Sequence, residues 1–146
     1  MHEIPERLAA KPSWLITQLA VHTRQLVSEG FTAADARGYH YRVLAALHEF
    51  GAASQAELGR RCRMDRSDVV AAVNELVARS FVDKAPDPGH GRRNKVTLTE
   101  DGARQLRHLD RVLDRVQDEL LRPLPAEDRE TLTRLLGTVL AHHEAE

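Results

Sequence analysis

The sequence predicts a mainly α-helical fold that carries a small β-hairpin. Apolar residues recur every three to four positions along most of the 146-residue chain, which is the period of helices that bury one face. Two short helix candidates meet at a tight turn near the middle of the chain. Directly after them, two short alternating segments flank a stretch rich in proline and glycine. This order of elements predicts a winged helix-turn-helix with longer helices before and after it.

The first helix is expected over about 14–29, because Ser13 is placed to cap it and Gly30 is placed to end it. The second helix leads into the central elements. The sequence leaves open whether it begins near Thr32, in a possible capping segment, or only near Gly38.

The helix-turn-helix is indicated by two capping segments. Ser54 and Glu57 have the spacing of a capping box and open a helix over about 55–62. Asp65 and Asp68 belong to a second capping segment, whose helix runs to about residue 79. Its apolar positions are expected to face inward: Val69, Val73, Leu76 and Val77.

The wing follows at once. Residues 81–84 and 95–99 read as two strands, and the residues at 86–91 cannot be helical. The tip of the hairpin is basic: Arg92, Arg93 and Lys95.

Two long helices complete the chain. The first begins at Thr99, and Pro123 and Pro125 separate it from the second, which begins near Ala126. Their apolar residues and those of the first helix exceed what one small core needs, so we expect a partner subunit to cover them. On the last helix these residues are Leu132, Leu135, Leu136, Val139 and Leu140.

The charge distribution points to nucleic acid. The net charge is −1, but residues 60–95 contain nine Lys/Arg and five acidic residues, so this segment carries +4 and the rest −5. Such asymmetry is typical of a basic binding surface on a neutral protein.

Several classes are disfavoured. Apolar runs are too short to span a membrane and the first residues lack a secretory signal, so we expect a cytoplasmic protein without membrane contact. A single cysteine, Cys62, excludes an internal disulfide and a multi-cysteine zinc site. No P-loop, Gly-x-Gly-x-x-Gly or nucleophile-elbow pattern occurs, so neither catalytic residues nor a cofactor are predicted.

Four segments of the chain carry a recognisable pattern. They are Tyr-Arg-Val-Leu-Ala-Ala-Leu at 41–47, Met-Asp-Arg-Ser-Asp-Val-Val at 64–70, Leu-Val-Ala-Arg-Ser-Phe-Val at 76–82 and Arg-Arg-Asn-Lys-Val-Thr-Leu-Thr-Glu-Asp-Gly at 92–102. With these segments, the sequence shows a resemblance over nearly its whole length to the MarR family of bacterial transcriptional regulators. The resemblance implies one MarR-type domain over 1–146, with a DNA-binding lobe at about 38–99 and dimerisation helices at about 13–30 and 100–146. It further implies a homodimer on a pseudo-palindromic operator, often released by a small aromatic ligand or an oxidant.

The chain departs from the family pattern at three places. His90 stands where the wing usually has Asp, Ala71 stands where the recognition helix often has Arg, and the segment 32–44 is several residues longer than usual.

The predicted DNA contacts lie on the recognition helix, the turn before it and the wing. Arg66 and Asn74 suit guanine and adenine edges, and Ser67 with the first helix amides suits a phosphate. Asp68 suits a cytosine edge or the helix cap. The alternative is that Arg66 and Asp68 form only a solvated cap. The full set is Arg60, Arg61, Arg63, Arg66, Ser67, Asp68, Asn74, Arg92, Arg93 and Lys95.

Within this set, the arginines before the turn are expected to position the DNA backbone. The resemblance places Arg92 in the minor groove, with Arg93 and Lys95 on phosphates. Protonation of His90 would add positive charge at the tip, so DNA affinity is expected to rise as the pH falls from 7.5 to 6. Replacement of His90 by alanine should abolish this part of the trend.

An effector cleft is predicted near the dimer helices, lined by Trp14, Tyr39, His40 and Arg42. Packing of these residues at the interface is the alternative. Cys62 is expected to be a buried packing residue rather than a redox sensor. No His-x-x-x-His pair occurs, so no metal site is predicted.

The sequence thus predicts a homodimeric, sequence-specific DNA-binding regulator, a repressor released by a small aromatic ligand. The alternatives are a sequence-tolerant architectural DNA-binding protein and a winged-helix module that binds only proteins.

Overall fold

The computed structural model describes residues 3–89, 91 and 94–145. Within these residues, helices and short strands follow one another along the chain. The elements are α1 (Glu6–Ala9), α2 (Pro12–Ala33), α3 (Gly38–Phe50), β1 (Ala53–Ser54), α4 (Gln55–Cys62), α5 (Arg66–Ala78), β2 (Val82–Pro86), β3 (Asn94–Leu98), α6 (Glu100–Leu120) and α7 (Ala126–Glu144). The predicted class, mainly helical with a small hairpin, is confirmed.

The helix-turn-helix forms where its capping residues predicted it. The Ser54 hydroxyl oxygen accepts from the Glu57 backbone N–H at 3.2 Å and begins α4. Arg63 ends this helix in the left-handed region, with φ 55°. Asp65 then begins α5 by accepting from the Asp68 N–H at 2.9 Å. These local hydrogen bonds explain why α4 and α5 could be predicted from the sequence.

The wing is part of a three-stranded antiparallel sheet in the order β1-β3-β2. Lys84 of β2 lies opposite Val96 of β3, and Ala53 of β1 lies opposite the same Val96. β2 lies one to two residues later in the chain than the predicted strand. The sequence did not predict β1, because a two-residue strand is defined only by its distant partner.

The core lies between α3, the helix-turn-helix, the sheet and α6. Its fully buried side chains are aliphatic: Val43, Leu44, Leu58, Val69, Val73, Leu76, Val82, Val96 and Leu109. The prediction that Val77 faces inward is wrong, because Val77 is 38% exposed while Ala72 is buried. Adjacent helix residues point about 100° apart, so Leu76 and Val77 do not share a face.

The predicted limits of the first helix are also wrong. α2 begins at Pro12 after Lys11, without a side-chain cap from Ser13, and it continues through Gly30. A Cβ at Gly30 would lie 2.9 Å from Cγ2 of Val116 on α6. Gly30 therefore permits close packing of α2 on α6 and does not end the helix.

The corner after α2 decides the question that the sequence left open. Asp35 has φ 54°, a left-handed conformation, and α3 begins at Gly38. The chain therefore turns between α2 and α3 and does not run on as one helix.

The first long helix and the last carry exposed apolar residues. α7 has no buried residue, and α2 buries only Phe31. On these two helices, the large apolar side chains at least 43% exposed are Leu15, Ile16, Leu19, Val21, Leu135, Leu136, Val139 and Leu140. Among the described residues, no helix is both long and apolar enough to cross a membrane.

Candidate nucleic-acid interface

The first turn of α5 is held by an acidic cap. Asp65 accepts from the Asp68 N–H at 2.9 Å and from the Ser67 hydroxyl at 2.7 Å. These hydrogen bonds hold the pKa of Asp65 below its usual range, and the one from the Asp68 backbone N–H has the largest effect. Asp68 itself is half-buried. The Ser67 hydroxyl, predicted to bind a phosphate, donates its hydrogen to this carboxylate instead.

The structure divides the predicted arginines into two pairs. Arg61 lies 3.5 Å from Glu57 and stacks over the Phe50 ring, and Arg63 forms an ion pair with Glu144 at the end of α7. Arg60 and Arg66 have no acidic partner among residues 3–89, 91 and 94–145. Arg60 and Arg66 are therefore the two arginines of the helix-turn-helix whose charge is not offset by a carboxylate in the described chain.

Arg60 and Arg66 line the same groove. It has a volume of about 650 Å³ and lies between the start of α4, the start of α5 and the wing strand β3, where Asn94 lines it. Gln55 also lines the groove, and its amide nitrogen is buried without a hydrogen-bond partner in the described chain. The groove thus combines two cations with polar amide side chains, which is a chemistry suited to an oxyanion.

Gln55 was not among the residues that the sequence singled out. Its position directly after the capping residue Ser54 was the available signal, since the first residues of a helix border the anion-binding end.

The remaining predicted DNA contacts lie on α5 and the wing. Asn74 is exposed, and its side-chain oxygen accepts from the Lys84 ammonium at 3.3 Å. Lys95 is exposed on β3, opposite Ala85 of β2. The predictions for His90, Arg92 and Arg93 fall outside the described residues.

Of the predicted effector residues, Tyr39 and Arg42 lie together on α3. The Arg42 guanidinium lies 5.6 Å from the centre of the Tyr39 ring, and both side chains are exposed. One guanidinium nitrogen of Arg42 also lies 3.5 Å from the Cys62 carbonyl oxygen. Trp14 is half-buried near the start of α2.

His40 is directed into the protein instead. It is 6% exposed, and one ring nitrogen lies 2.6 Å from the Glu75 carboxylate of α5. The other ring nitrogen accepts from the Arg37 backbone N–H at 3.3 Å. Both ring nitrogens of His40 are therefore engaged within the chain, and the ring is buried, whereas the side chains of Tyr39 and Arg42 are exposed.

Cys62 is a buried residue at the end of α4, as the sequence predicted. Its thiol donates to the Arg42 carbonyl oxygen at 3.3 Å. Burial raises the pKa of Cys62, and the nearby cations of Arg42 and Arg61 only partly oppose this rise. Among the residues that the structure describes, no three histidine, cysteine or acidic side chains are placed to share a metal ion.

Known proteins resemble this chain in sequence and in structure. The family model of the MarR family matches residues 29–93. The HTH-type transcriptional repressor NicR of Pseudomonas putida is 33% identical over 101 residues, which are 69% of this chain and 64% of that repressor. The chain thus spans less than two thirds of the length of this relative.

Two solved structures share the fold over nearly their whole length. The PcaV transcriptional regulator of Streptomyces coelicolor, in complex with its natural ligand, is 28% identical, with a TM-score of 0.72 over 97% of this chain and 98% of that one. BpsR of Bordetella bronchiseptica, whose DNA binding is regulated by 6-hydroxynicotinic acid, is 20% identical, with a TM-score of 0.77 over 94% of this chain and 96% of that one. By the match of its helix-turn-helix and by its likeness to the repressor NicR and to these regulators, the chain belongs to the MarR family.

Proposed function

We propose that the protein is a homodimeric, sequence-specific DNA-binding regulator of transcription, a repressor that a small aromatic ligand releases from its operator. The observation that carries this proposal is the groove between α4, α5 and β3. It is lined by Arg60 and Arg66, which have no acidic partner in the described chain, beside the start of the recognition helix α5. Cations so placed suit the phosphates on either side of a major groove that α5 would enter.

In the proposed function, different parts of the chain bind DNA and form the dimer. In a single domain over 1–146, residues 38–99 form the DNA-binding lobe, and residues 13–30 and 100–146 form the dimerisation helices. The exposed leucines of α2 and α7 support this assignment, because water-exposed apolar faces on two terminal helices are typical of a subunit interface. A protein with this role works in the cytoplasm.

The predicted DNA contacts are retained in the proposal with different roles. Arg60, Arg66 and Lys95 contact phosphates, and Asn74 reads a base edge once Lys84 moves to a phosphate. Asp68 and Ser67 hold the start of α5 through Asp65. Arg61 and Arg63 contribute less, because each is paired with a glutamate. Arg92 and Arg93 contact the minor groove and its phosphates.

The proposed effector is an aromatic carboxylate that binds at the exposed pair of Tyr39 and Arg42. A guanidinium can hold the carboxylate, and an aromatic ring beside it can stack on the ligand. Regulation of BpsR by 6-hydroxynicotinic acid, an aromatic carboxylic acid, favours this class. By linkage, the ligand weakens DNA binding only as far as it prefers the conformation that does not bind DNA.

The test is DNA binding measured by fluorescence anisotropy at one fixed salt concentration. A duplex from the region upstream of its gene is compared with a random duplex of equal length. We expect a preference of about 10³-fold or more for the upstream duplex, and an inverted repeat with half-sites about 34–36 Å apart. Light scattering should give the mass of a dimer.

The other outcomes separate the competing functions. Equal affinity for both duplexes would indicate a sequence-tolerant architectural protein, and no binding to either would indicate a protein-interaction module. Salicylate and 6-hydroxynicotinic acid are the effector probes. If neither raises the melting temperature nor displaces DNA at millimolar concentration, the aromatic-carboxylate effector is refuted and DNA binding is not.

A further inference from the structure

The corner between α2 and α3 contacts the recognition helix at two points. The Arg79 guanidinium, at the end of α5, donates to the Asp35 carbonyl oxygen at 2.6 Å. One turn earlier, the Glu75 carboxylate lies 2.6 Å from the His40 ring and 3.5 Å from the Arg37 guanidinium. The buried member of this group is His40, so its bond to Glu75 is the one best shielded from water.

The hydrogen bonds of His40 assign which ring nitrogen accepts and which donates. The Arg37 backbone N–H is a donor, so the ring nitrogen Nδ1 beside it must accept with a free lone pair. The hydrogen of the neutral ring then lies on Nε2 and is donated to Glu75. The His40 ring therefore joins the first turn of α3 to the middle of α5.

The next residue on α3 makes a comparable bond to a different element. Tyr41 donates to Asp110 of α6 at 2.7 Å. His40 and Tyr41 thus tie the same helix to two neighbours, and only the bond of His40 reaches the helix proposed to enter DNA. This makes Tyr41 a matched control for His40.

We propose that His40 is a positioning residue for the recognition helix, with Glu75 as its acceptor. This inference rests on the proposed function. The bond holds α5 at a fixed position against the corner of α2 and α3. A helix that shifts by a fraction of its diameter loses alignment with base edges while its general attraction to phosphates remains. His40 thereby contributes to the choice of sequence without touching DNA.

The test measures the ratio of affinities for the preferred upstream duplex and a random duplex. A variant that only lowers stability reduces the folded fraction, which scales both affinities equally and leaves their ratio unchanged. The four variants are Glu75→Ala, Glu75→Gln, His40→Leu and Tyr41→Phe. Glu75→Ala and Glu75→Gln remove the same charge, but only glutamine retains an acceptor for the Nε2 hydrogen. Their comparison therefore isolates the hydrogen bond from the change in charge.

We expect the ratio to fall by about tenfold or more in Glu75→Ala and His40→Leu, the loss that a mismatched base pair causes. Glu75→Gln should stay within about threefold of the unmodified protein, and Tyr41→Phe should leave the ratio unchanged. Should His40→Leu not fold, the two variants at the partly exposed Glu75 still decide the question. A folded Glu75→Ala protein with the unmodified ratio overturns the proposal, and so does a Glu75→Gln protein as impaired as Glu75→Ala.

A nitrogen-15 spectrum of the imidazole at neutral pH supplies a readout without DNA. It should show Nε2 protonated and Nδ1 unprotonated in the unmodified protein and in Glu75→Gln. The opposite tautomer overturns the assigned link. An unmodified protein that prefers no duplex overturns the proposed function and the positioning role together. A preference that survives Glu75→Ala overturns only the inference about His40.

Discussion

Tyr41 of α3 donates its hydroxyl hydrogen to Asp110 of α6 at 2.7 Å. The bond ties the helix that precedes the helix-turn-helix to the long helix that follows the wing. Burial of the phenol, together with the hydrogen bond and the charges of Asp110 and Asp114, raises the pKa of Tyr41 to about 12.

This pKa predicts a pH-dependent loss of stability. The phenol is neutral in the folded protein up to a higher pH than in the unfolded chain, so its stabilising effect is complete below about pH 10 and declines as the pH rises from about 10 to 12. Tyr41→Phe should lower the free energy of unfolding by about 1 kcal/mol at pH 8. Urea unfolding at pH 8 and 11 should show that this difference shrinks at the higher pH, and an equal difference at both pH values would contradict the assignment.

The tyrosine titration can also be observed directly. The chain has two tyrosines, Tyr39 and Tyr41, so Tyr39→Phe leaves one phenol to titrate. Its absorbance should change near pH 12 in the folded protein and near pH 10 in urea.

Gly102 is predicted to be essential for packing α6 against the wing. A Cβ at this position would collide with the Phe81 carbonyl oxygen and lie 2.7 Å from Cδ1 of Leu98. Because the backbone of Phe81 cannot move away without displacing β2, Gly102→Ala should lower stability by about 2–3 kcal/mol. Gly137→Ala is the control, since its Cβ meets no atom within 4 Å in the described chain. Thermal unfolding that gives the same change for both variants would refute the predicted collision.

Arg60 and Arg61 are neighbours that should differ in their effect on DNA binding. Arg60 lines the groove beside α5 and has no acidic partner in the described chain, whereas Arg61 is paired with Glu57. Arg60→Ala removes one phosphate contact from each subunit, so the slope of log K against log[salt] should become less steep by about 1.8 per dimer. Arg61→Ala should change the slope little. Equal changes would show that the ion pair in the free protein does not decide which arginine contacts DNA.

The exposed leucines of α7 should hold the dimer together. Leu136 and Leu140 are 47% and 59% exposed, and burial of a leucine is worth about 2 kcal/mol. The double variant Leu136→Glu and Leu140→Glu should therefore be a monomer by light scattering at about 10 μM, since each interface would lose four such leucines. Phe50→Glu alters an apolar residue of similar exposure on α3 and should remain a dimer. A dimeric double variant would place the interface elsewhere.

The helices of the helix-turn-helix were predictable because their signals are local. The Ser54 hydroxyl and the Asp65 carboxylate bind backbone amides three residues ahead, so α4 and α5 begin where the sequence alone placed them. The first helix was misjudged for the opposite reason. A glycine is typical of a helix end, and the sequence therefore predicted that the helix stops at Gly30. In the structure Gly30 packs closely against Val116, far along the chain, and belongs to a helix–helix packing surface.

The sequence predicted which arginines belong to the candidate site. The tertiary structure separated those that are paired with a glutamate from those that have no acidic partner in the described chain. Sequence spacing placed Arg60, Arg61, Arg63 and Arg66 near one turn. It assigned Arg66 to a base edge and the other three alike to the DNA backbone. Only the fold brings Glu144 of the last helix to Arg63, and within the described chain it leaves Arg60 and Arg66 without an acidic partner in one groove.

The sequence by itself determined the mainly helical class, the order of the elements and the capping residues of the central helices. These features depend on hydrophobic periodicity and on hydrogen bonds between residues a few positions apart. The tertiary structure decided that His40 faces Glu75 while Tyr39 and Arg42 stay exposed, and that β1 joins the wing. Such contacts join residues tens of positions apart. Their partners are chosen by the packing of whole elements, which no local pattern encodes.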